Sequence, residues 1–244
     1  MSEITAQVGS TISGLKQEFN IIAHNLANVN TVGYKRRYNT FSKTLKAQGS
    51  ITGEQFTEES EPTPAFDFSQ GRLIETGRPL DFALGGKGFF MIETPDGPLY
   101  TRNGAFRLNN DLQIVDMSGR IVAGDSGPIT VPPNVGLSQI SVSRDGSISG
   151  DGQPIGKLKL VDFKPEDEQG LAPVGASCFQ APYRAKTIEP TNMTVQQKFQ
   201  ESSNVEMVEE MVDMIMVTRL YQANMQFVSV NRDSAKSIIG VAMG

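Results

Sequence analysis

Ser203-Asn204-Val205-Glu206 opens a run that extends to Ile239 without a proline or a glycine. The four residues match a capping box, in which the serine oxygen accepts a backbone N–H and the glutamate reaches back to the cap. The sequence therefore predicts a long helix over 203–239, roughly 55 Å in length at about 1.5 Å per residue. Because such a helix outreaches most small domains, we expect a second helix to cover its apolar stripe.

Apolar residues recur along this helix in alternating steps of four and three, which is the spacing of a coiled-coil seam. The seam residues are Met207, Met211, Met214, Thr218, Tyr221, Met225 and Val228. The N-terminal stretch 4–29 repeats the spacing with Val8, Ile12, Leu15, Phe19, Ile22, Leu26 and Val29. The simplest interpretation is that the two ends pair and carry everything between them. Two ordinary amphipathic helices docked on a globular core are the alternative.

Between the ends the period of the pattern changes to that of short strands. Turn signals such as Pro95-Asp96-Gly97 and Asn103-Gly104 separate them at intervals typical of an antiparallel β domain. The predicted strands are Leu80–Leu84, Phe89–Ile92, Leu99–Arg102, Ala105–Leu108, Leu112–Val115, Arg120–Val122, Ile129–Val131, Ile140–Val142 and Lys157–Phe163. The predicted fold class is α+β, with long N- and C-terminal helices forming a coiled-coil-like helical domain and an inserted antiparallel all-β domain. The expected boundaries are a helix over 1–34, a connector over 35–70, the β domain over 71–186, a linker over 187–202 and a helix over 203–244.

Composition excludes several classes of protein. The chain has 244 residues, no tryptophan and a net charge of −5, which argues against general affinity for nucleic acid. Basic residues cluster in 35–53 and acidic residues in 54–68, which indicates either a solvated connector or a contact between neighbouring chains. No apolar run is long enough to insert in a membrane, and no cleaved secretory signal is apparent. On these facts alone we expect a cytoplasmic protein, although some export routes use no cleaved signal.

The search for chemistry is mostly negative. His24 is the single histidine and lies off the seam of the first helix, and Cys178 has no basic or histidine neighbour in the sequence. Gly85-Gly86-Lys87-Gly88 lacks the spacing of a phosphate-binding loop and is interpreted as a tight turn. No Cys/His cluster has the spacing of a metal site. We therefore predict a protein that is not an enzyme, with no catalytic residue, cofactor or metal.

Three stretches resemble the bacterial flagellar rod, hook and basal-body proteins. The first runs from Asn25-Leu26-Ala27-Asn28 through Thr31 to Gly33-Tyr34-Lys35. The second runs from Leu80-Asp81-Phe82 to Tyr100-Thr101-Arg102-Asn103-Gly104-Ala105-Phe106, and the third joins Ser203-Asn204-Val205 to Arg219-Leu220-Tyr221-Gln222-Ala223-Asn224. The short connector and the Arg78-Pro79-Leu80-Asp81 segment are similar to the proximal-rod type, with the distal-rod and hook types as alternatives. Leu220 departs from the alanine that many members carry there.

The resemblance implies a structural subunit that polymerises helically in the periplasmic rod and transmits motor torque to the hook. It implies as partners copies of itself, neighbouring rod proteins and the flagellar type III export apparatus, which needs no cleaved signal. The expected assembly interface adds Asn25, Asn28, Thr31, Gly33 and Tyr34 to the two seams. Two alternatives from other classes are a soluble β-domain binding module dimerised by its helices and a hydrolase that uses His24 or the acidic loop of Asp162 and Glu166-Asp167-Glu168.

Overall fold

The computed structural model describes residues 2–39, 65–175 and 177–243, with side chains described from Val8 to Arg232 within these ranges. Most of the basic and acidic blocks predicted for the connector lies outside the described residues. The chain divides into two compact units. Unit 1 comprises Met1–Ala27, Arg37–Phe66 and Glu206–Gly244, and unit 2 comprises Asn28–Arg36 and Asp67–Val205.

Unit 1 is built on two helices that contact each other, α1 (Ser2–Ala27) and α3 (Met207–Met243). It also contains a two-stranded antiparallel ribbon of β1 (Arg37–Tyr38) and β2 (Ala65–Phe66), in which the guanidinium of Arg37 lies 5.5 Å from the ring centre of Phe66. The helical ends predicted from the sequence are therefore present in the structure.

The predicted capping box at Ser203 is wrong, because α3 begins at Met207. Ser203 is buried, and its hydroxyl accepts a hydrogen bond from the backbone N–H of Val205 at 3.2 Å. A serine hydroxyl satisfies a nearby backbone N–H equally well in a turn or at a helix cap, and so the motif alone does not fix where the helix starts.

Unit 2 is an antiparallel β domain with one short helix, α2 (Pro165–Glu168), and a 3₁₀ turn at Leu137–Gln139. Its strands up to the middle of the domain are β3 (Leu73–Glu75), β4 (Phe82–Gly85), β5 (Phe89–Glu93), β6 (Leu99–Thr101), β7 (Phe106–Leu108), β8 (Ile114–Asp116), β9 (Ile121–Gly124) and β10 (Gly127–Pro128). The later strands are β11 (Ile140–Val142), β12 (Ser147–Gly150), β13 (Gln153–Lys157), β14 (Leu160–Phe163), β15 (Ala172–Val174), β16 (Cys178–Gln180), β17 (Thr187–Ile188), β18 (Thr194–Gln197) and β19 (Phe199–Glu201). The α+β class and the antiparallel sheet are thus confirmed.

The largest sheet has ten strands, with the central order β15-β16-β6-β5-β9-β8-β7. Strand β10 pairs with β9, while β14 pairs with both β5 and β17. Strands β11, β12 and β13 form a separate three-stranded sheet. The core contains Phe82, Phe90 and Phe106, whose rings meet edge to face at 5.2–5.7 Å. These aromatic contacts add to the burial that stabilises the domain.

Two sequence predictions within the β domain need correction. Ile129–Val131 is not a strand, since only Thr130 forms an isolated bridge, to Gln113. The single strand predicted for Lys157–Phe163 is divided between the end of β13 and the whole of β14.

Residues 187–202 were expected to form an irregular linker, but they contain β17, β18 and β19. Strand β18 pairs with β4, and β19 pairs with β3. Strands β18 and β19 are largely polar, and their partners lie more than one hundred residues earlier in the chain, so local periodicity does not reveal them.

Candidate assembly surface

A polar cluster inside unit 1 connects α1, β1 and α3. The side-chain amide of Asn25 donates to the carbonyl oxygen of Arg37 at 2.8 Å, and its oxygen accepts from the Arg37 N–H at 2.9 Å. The same amide nitrogen lies 3.2 Å from Glu210 Oε2. Asn25 and Glu210 are 1% and 0% exposed. The Asn25 side chain is thus hydrogen-bonded within its own chain. Its amide bonds to both the N–H and the carbonyl oxygen of Arg37, as a residue of a strand paired with β1 would.

The glycine of the N-terminal signature is required by close packing inside unit 2. Gly33 has φ +68°, a conformation that L side chains seldom adopt. A Cβ atom at this position would lie 2.4 Å from the backbone nitrogen of Asn103. The N–H of Gly33 donates to the carbonyl oxygen of Glu201 at 2.8 Å, and the next residue, Tyr34, is buried. These two signature residues therefore anchor the segment that follows α1.

An ion cluster is buried beside this turn. Lys35 Nζ lies 2.6 Å from Glu201 Oε1, and Arg102 Nη1 lies 3.4 Å from Glu201 Oε2. Lys35 also donates to the carbonyl oxygen of Ser69 at 2.6 Å, and the N–H of Gly71 donates to Glu201 at 2.9 Å. Burial lowers the pKa of Lys35, an effect that the charge of Glu201 opposes. Sequence reasoning missed this cluster, because Lys35 had been grouped with the basic connector.

The side chain of Asn204 connects three segments of unit 2 through hydrogen bonds. Its side-chain oxygen accepts from the Arg36 N–H at 2.7 Å. Its amide nitrogen donates to the carbonyl oxygen of Asp67 at 2.8 Å and lies 3.1 Å from the hydroxyl of Ser69. The asparagine of the Ser203-Asn204-Val205 motif thus joins the points where the chain first leaves this unit, re-enters it and leaves it again.

The predicted C-terminal seam does not coincide with the face of α3 that the chain buries. Among the described side chains of α3, only Glu210 and Val217 are buried, and each lies one position before a seam residue. Three seam residues, Met214, Thr218 and Val228, are half-buried, while Met207, Met211, Tyr221 and Met225 are exposed. The apolar pattern passed over Glu210 because it is charged, although its contact with Asn25 turns that position toward α1.

The opposite side of α3 also carries apolar residues. They lie in two groups, one within 208–216 and one within 227–230, with Val208 75% exposed. This set, called here the second α3 face, comprises Val208, Val212, Ile215, Met216, Phe227 and Val230. α1 contacts the side of α3 that carries Glu210, and the second α3 face stays exposed in the single chain.

Residues of the predicted N-terminal seam fall into three groups. Ile22 is buried and Phe19 is 41% exposed. Val8, Ile12, Leu15, Leu26 and Val29 are half-buried, as are Asn28 and Thr31 of the signature. The Thr31 hydroxyl lies 3.1 Å from Asn28 Oδ1, and so these two side chains stabilise the turn after α1.

The residues considered for chemistry, His24 and Cys178, belong to different units. His24 is exposed on α1, whereas Cys178 is buried in unit 2 with its sulfur 3.0 Å from Arg120 Nη2. Within the described ranges, no group of three or more His, Cys, Asp or Glu residues is placed to hold a metal ion. None of the described helices is long and apolar enough to cross a membrane.

Three family models match separate parts of the chain. The model of the flagella basal body rod protein matches residues 9–35, which include most of α1 and the signature turn. The model of the flagellar hook protein FlgE/F/G D1 domain matches residues 83–150, and that of the flagellar basal body rod FlgEFG protein C-terminal region matches residues 196–241. The matches follow the chain in the order of the three stretches noted in the sequence.

Curated relatives match over most of their length. The chain is 31% identical to the flagellar basal-body rod protein FlgF of Rhizobium meliloti, over 94% of this chain and 92% of the relative. It is 29% identical to FlgG of Bacillus subtilis over 95% and 97%, and 34% identical to FlgG of Buchnera aphidicola subsp. Acyrthosiphon pisum over 87% and 89%. Since relatives of both names match at similar identity, the chain is FlgF/FlgG-like. It belongs to the flagellar basal-body rod protein family.

Proposed function

We propose that this protein is a structural subunit of the flagellar basal-body rod, where it polymerises helically and transmits motor torque to the hook. The observation that carries the proposal is the second α3 face, an apolar surface on a 37-residue helix whose other side is already covered by α1. In a rod, helices of neighbouring subunits would cover this face. Each fully buried Val, Ile, Phe or Met side chain would contribute roughly 1.5–3 kcal/mol.

Helix packing between subunits also accounts for the seam that the single chain leaves partly open. Met207, Met211, Tyr221 and Met225 lie between the buried side of α3 and its second face. A neighbouring helix seated along them would complete a coiled-coil-like contact. Methionine side chains adapt to partners of different shape, which suits a subunit that meets both its own copies and other rod proteins.

The proposal has several finer parts. Segments 1–34 and 203–244 serve as the helical rod core, 35–70 as a connector, and 71–186 as the β domain that the core carries, with 187–202 leading back to the core. The subunit is of the proximal-rod type, has no enzymatic role and reaches the periplasmic rod through the flagellar type III export apparatus without a cleaved signal. The similarity of Arg78-Pro79-Leu80-Asp81 to the proximal type supports the first of these points.

The variant Val212→Glu tests the proposal by placing a charge in the middle of the second α3 face. Val212 is 50% exposed in the single chain, so the variant is expected to keep the helix content of the unaltered protein in circular dichroism. Burying the charge against a neighbour is costly, and incorporation into isolated basal bodies should fall at least about tenfold.

The matched control is Asn231→Glu, which adds the same charge at an exposed position of α3 outside both this face and the seam. Its incorporation should stay close to that of the unaltered chain. Equal incorporation of both variants would refute a role for the second α3 face in assembly.

A further inference from the structure

A tight turn in unit 2 presents a fully exposed aromatic side chain. The turn spans Pro182–Ala185, closed by a hydrogen bond from the Ala185 N–H to the Pro182 carbonyl oxygen at 2.9 Å. Tyr183 at its tip has no covered surface in the chain. Its neighbours Arg184 and Lys186 are also exposed. Tyrosine and arginine are the residue types most enriched where protein partners bind tightly.

The turn is held in place from both sides. Strand β16 ends at Gln180 just before it, and β17, which follows at Thr187, pairs with β14. At its base, Pro182 packs so closely on Gly170 that an added Cβ there would lie 3.0 Å from the proline ring. A binding element fixed in this way loses little conformational entropy when a partner covers it.

The same unit contains an open groove of about 340 Å³ beside β14 and β17. Half of its twelve lining residues are apolar, namely Leu158, Leu160, Val161, Ile188, Pro190 and Met193. A groove of this volume and character is large enough for an aromatic side chain with its neighbours. Tyr183 of the same chain does not occupy the groove, because its side chain is fully exposed.

The charges of the groove and the turn are complementary. The groove is lined by three carboxylates, Asp125, Asp145 and Glu189, and by two lysines. Lys157 lies 3.8 Å from Asp145 and Lys159 lies 4.0 Å from Asp125, so each lysine is matched by an aspartate. Glu189 gives the groove a net negative charge. Arg184 in the turn and Lys186 directly after it are both positively charged.

We infer that the turn Pro182–Ala185 of one copy of this chain inserts Tyr183 into the groove of a second copy, with Arg184 directed toward Glu189. The turn and the groove are different surfaces, and so each pairing leaves one of each free for another copy. Contacts of this heterologous kind repeat without closing after two subunits. The inference rests on the proposed function, because an open-ended series of contacts needs a repeating assembly.

Cross-linking between two full-length variants tests this pairing. Tyr183→Cys and Glu189→Cys chains are produced separately and together in flagellated cells, and isolated basal bodies are treated with a short thiol-specific cross-linker. Cys178 stays in place because it is buried, and the unaltered chain measures its background. We expect covalent dimers from the mixture and only background from either variant alone.

Incorporation into basal bodies separates the possible failures. Chains that are incorporated but give no cross-link above background in the mixture overturn the inference and leave the proposed function standing. Strong cross-linking of Tyr183→Cys to itself indicates a two-fold contact and also overturns it. Absence of the unaltered chain from basal bodies overturns the proposed function, and the inference with it.

A charge exchange provides a second readout that does not depend on cysteine. Arg184→Glu should reduce incorporation about tenfold, because like charges facing each other at an interface cost several kcal/mol. Adding Glu189→Arg in the same chain should restore most of it. Arg72→Glu, at an exposed arginine elsewhere in unit 2, is the control. Failure of the double variant to recover, or an equal loss in the control, contradicts the pairing.

Discussion

Glu201 is the buried carboxylate that pairs with two buried cations in unit 2. Its carboxylate is fully buried, and it faces both the Lys35 ammonium and the Arg102 guanidinium. Charges removed from water are tolerated only when they are paired and hydrogen-bonded. One carboxylate therefore offsets the desolvation of two cations. The Gly71 N–H also donates to this carboxylate, and the Ser69 carbonyl oxygen accepts from Lys35.

Replacing Glu201 by glutamine is predicted to destabilise the protein by roughly 3–5 kcal/mol. The amide has nearly the same shape but leaves two buried cations without a counter-charge. Urea unfolding followed by circular dichroism measures the change in the free energy of unfolding. The matched control is Glu206→Gln at an exposed glutamate, for which we expect a change within about 0.5 kcal/mol. Similar losses in both variants would show that the buried cluster contributes nothing special.

Glu210 in α3 shows where prediction from the sequence failed. The apolar spacing of α3 suggested its length and its packing role, and α1 does contact it. The spacing also assigned the contact face to apolar residues, whereas the structure buries Glu210 through its bond to Asn25. A buried carboxylate is intelligible only once its partner, 185 residues away in the chain, is known.

The turn after α1 shows why one position of the N-terminal signature has to be glycine. Gly33 adopts a left-handed conformation and lies directly against the backbone of Arg102 and Asn103. Gly33 therefore meets two separate requirements, a positive φ and the absence of a side chain. Gly77 has nearly the same φ, +73°, but no atom lies within 4 Å of the Cβ that it lacks.

This pair of glycines allows the two demands to be measured separately. Gly77→Ala is predicted to cost about 1–2 kcal/mol, which is the penalty for a side chain in the left-handed region. Gly33→Ala should cost clearly more, because its Cβ would also displace the backbone at Asn103. Thermal unfolding of the two variants gives the comparison. Equal losses would mean that the close contact at Gly33 relaxes without cost.

The strands differ in how well the sequence predicted them. Phe89–Ile92 forms most of β5, because a buried apolar run bounded by turns is typical of a core strand. Strands β18 and β19 were missed because they are short and largely polar, and because their pairing depends on β4 and β3. Local patterns predict elements that bury their own side chains and fail for elements fixed by a distant partner.

For the molecule as a whole, the two units draw on different parts of the chain. Unit 2 uses Asn28–Arg36 and Asp67–Val205, and none of its residues comes from α1 or α3. A fragment of residues 28–205 is therefore predicted to fold without the helices. It should show the circular dichroism of β structure and unfold in one cooperative transition on heating. A fragment that is unfolded at room temperature would show that the β unit depends on the helical ends.

The side chain of Asn204 holds three segments of unit 2 close together. Because the Arg36 N–H and the Asp67 carbonyl oxygen both bond to one side chain, the chain first leaves, re-enters and finally leaves unit 2 within hydrogen-bonding reach of a single residue. Neighbouring ends are what make domain insertion and exchange tolerable. A guest domain with adjacent termini could be grafted between 36 and 67 while both helices keep their sequence.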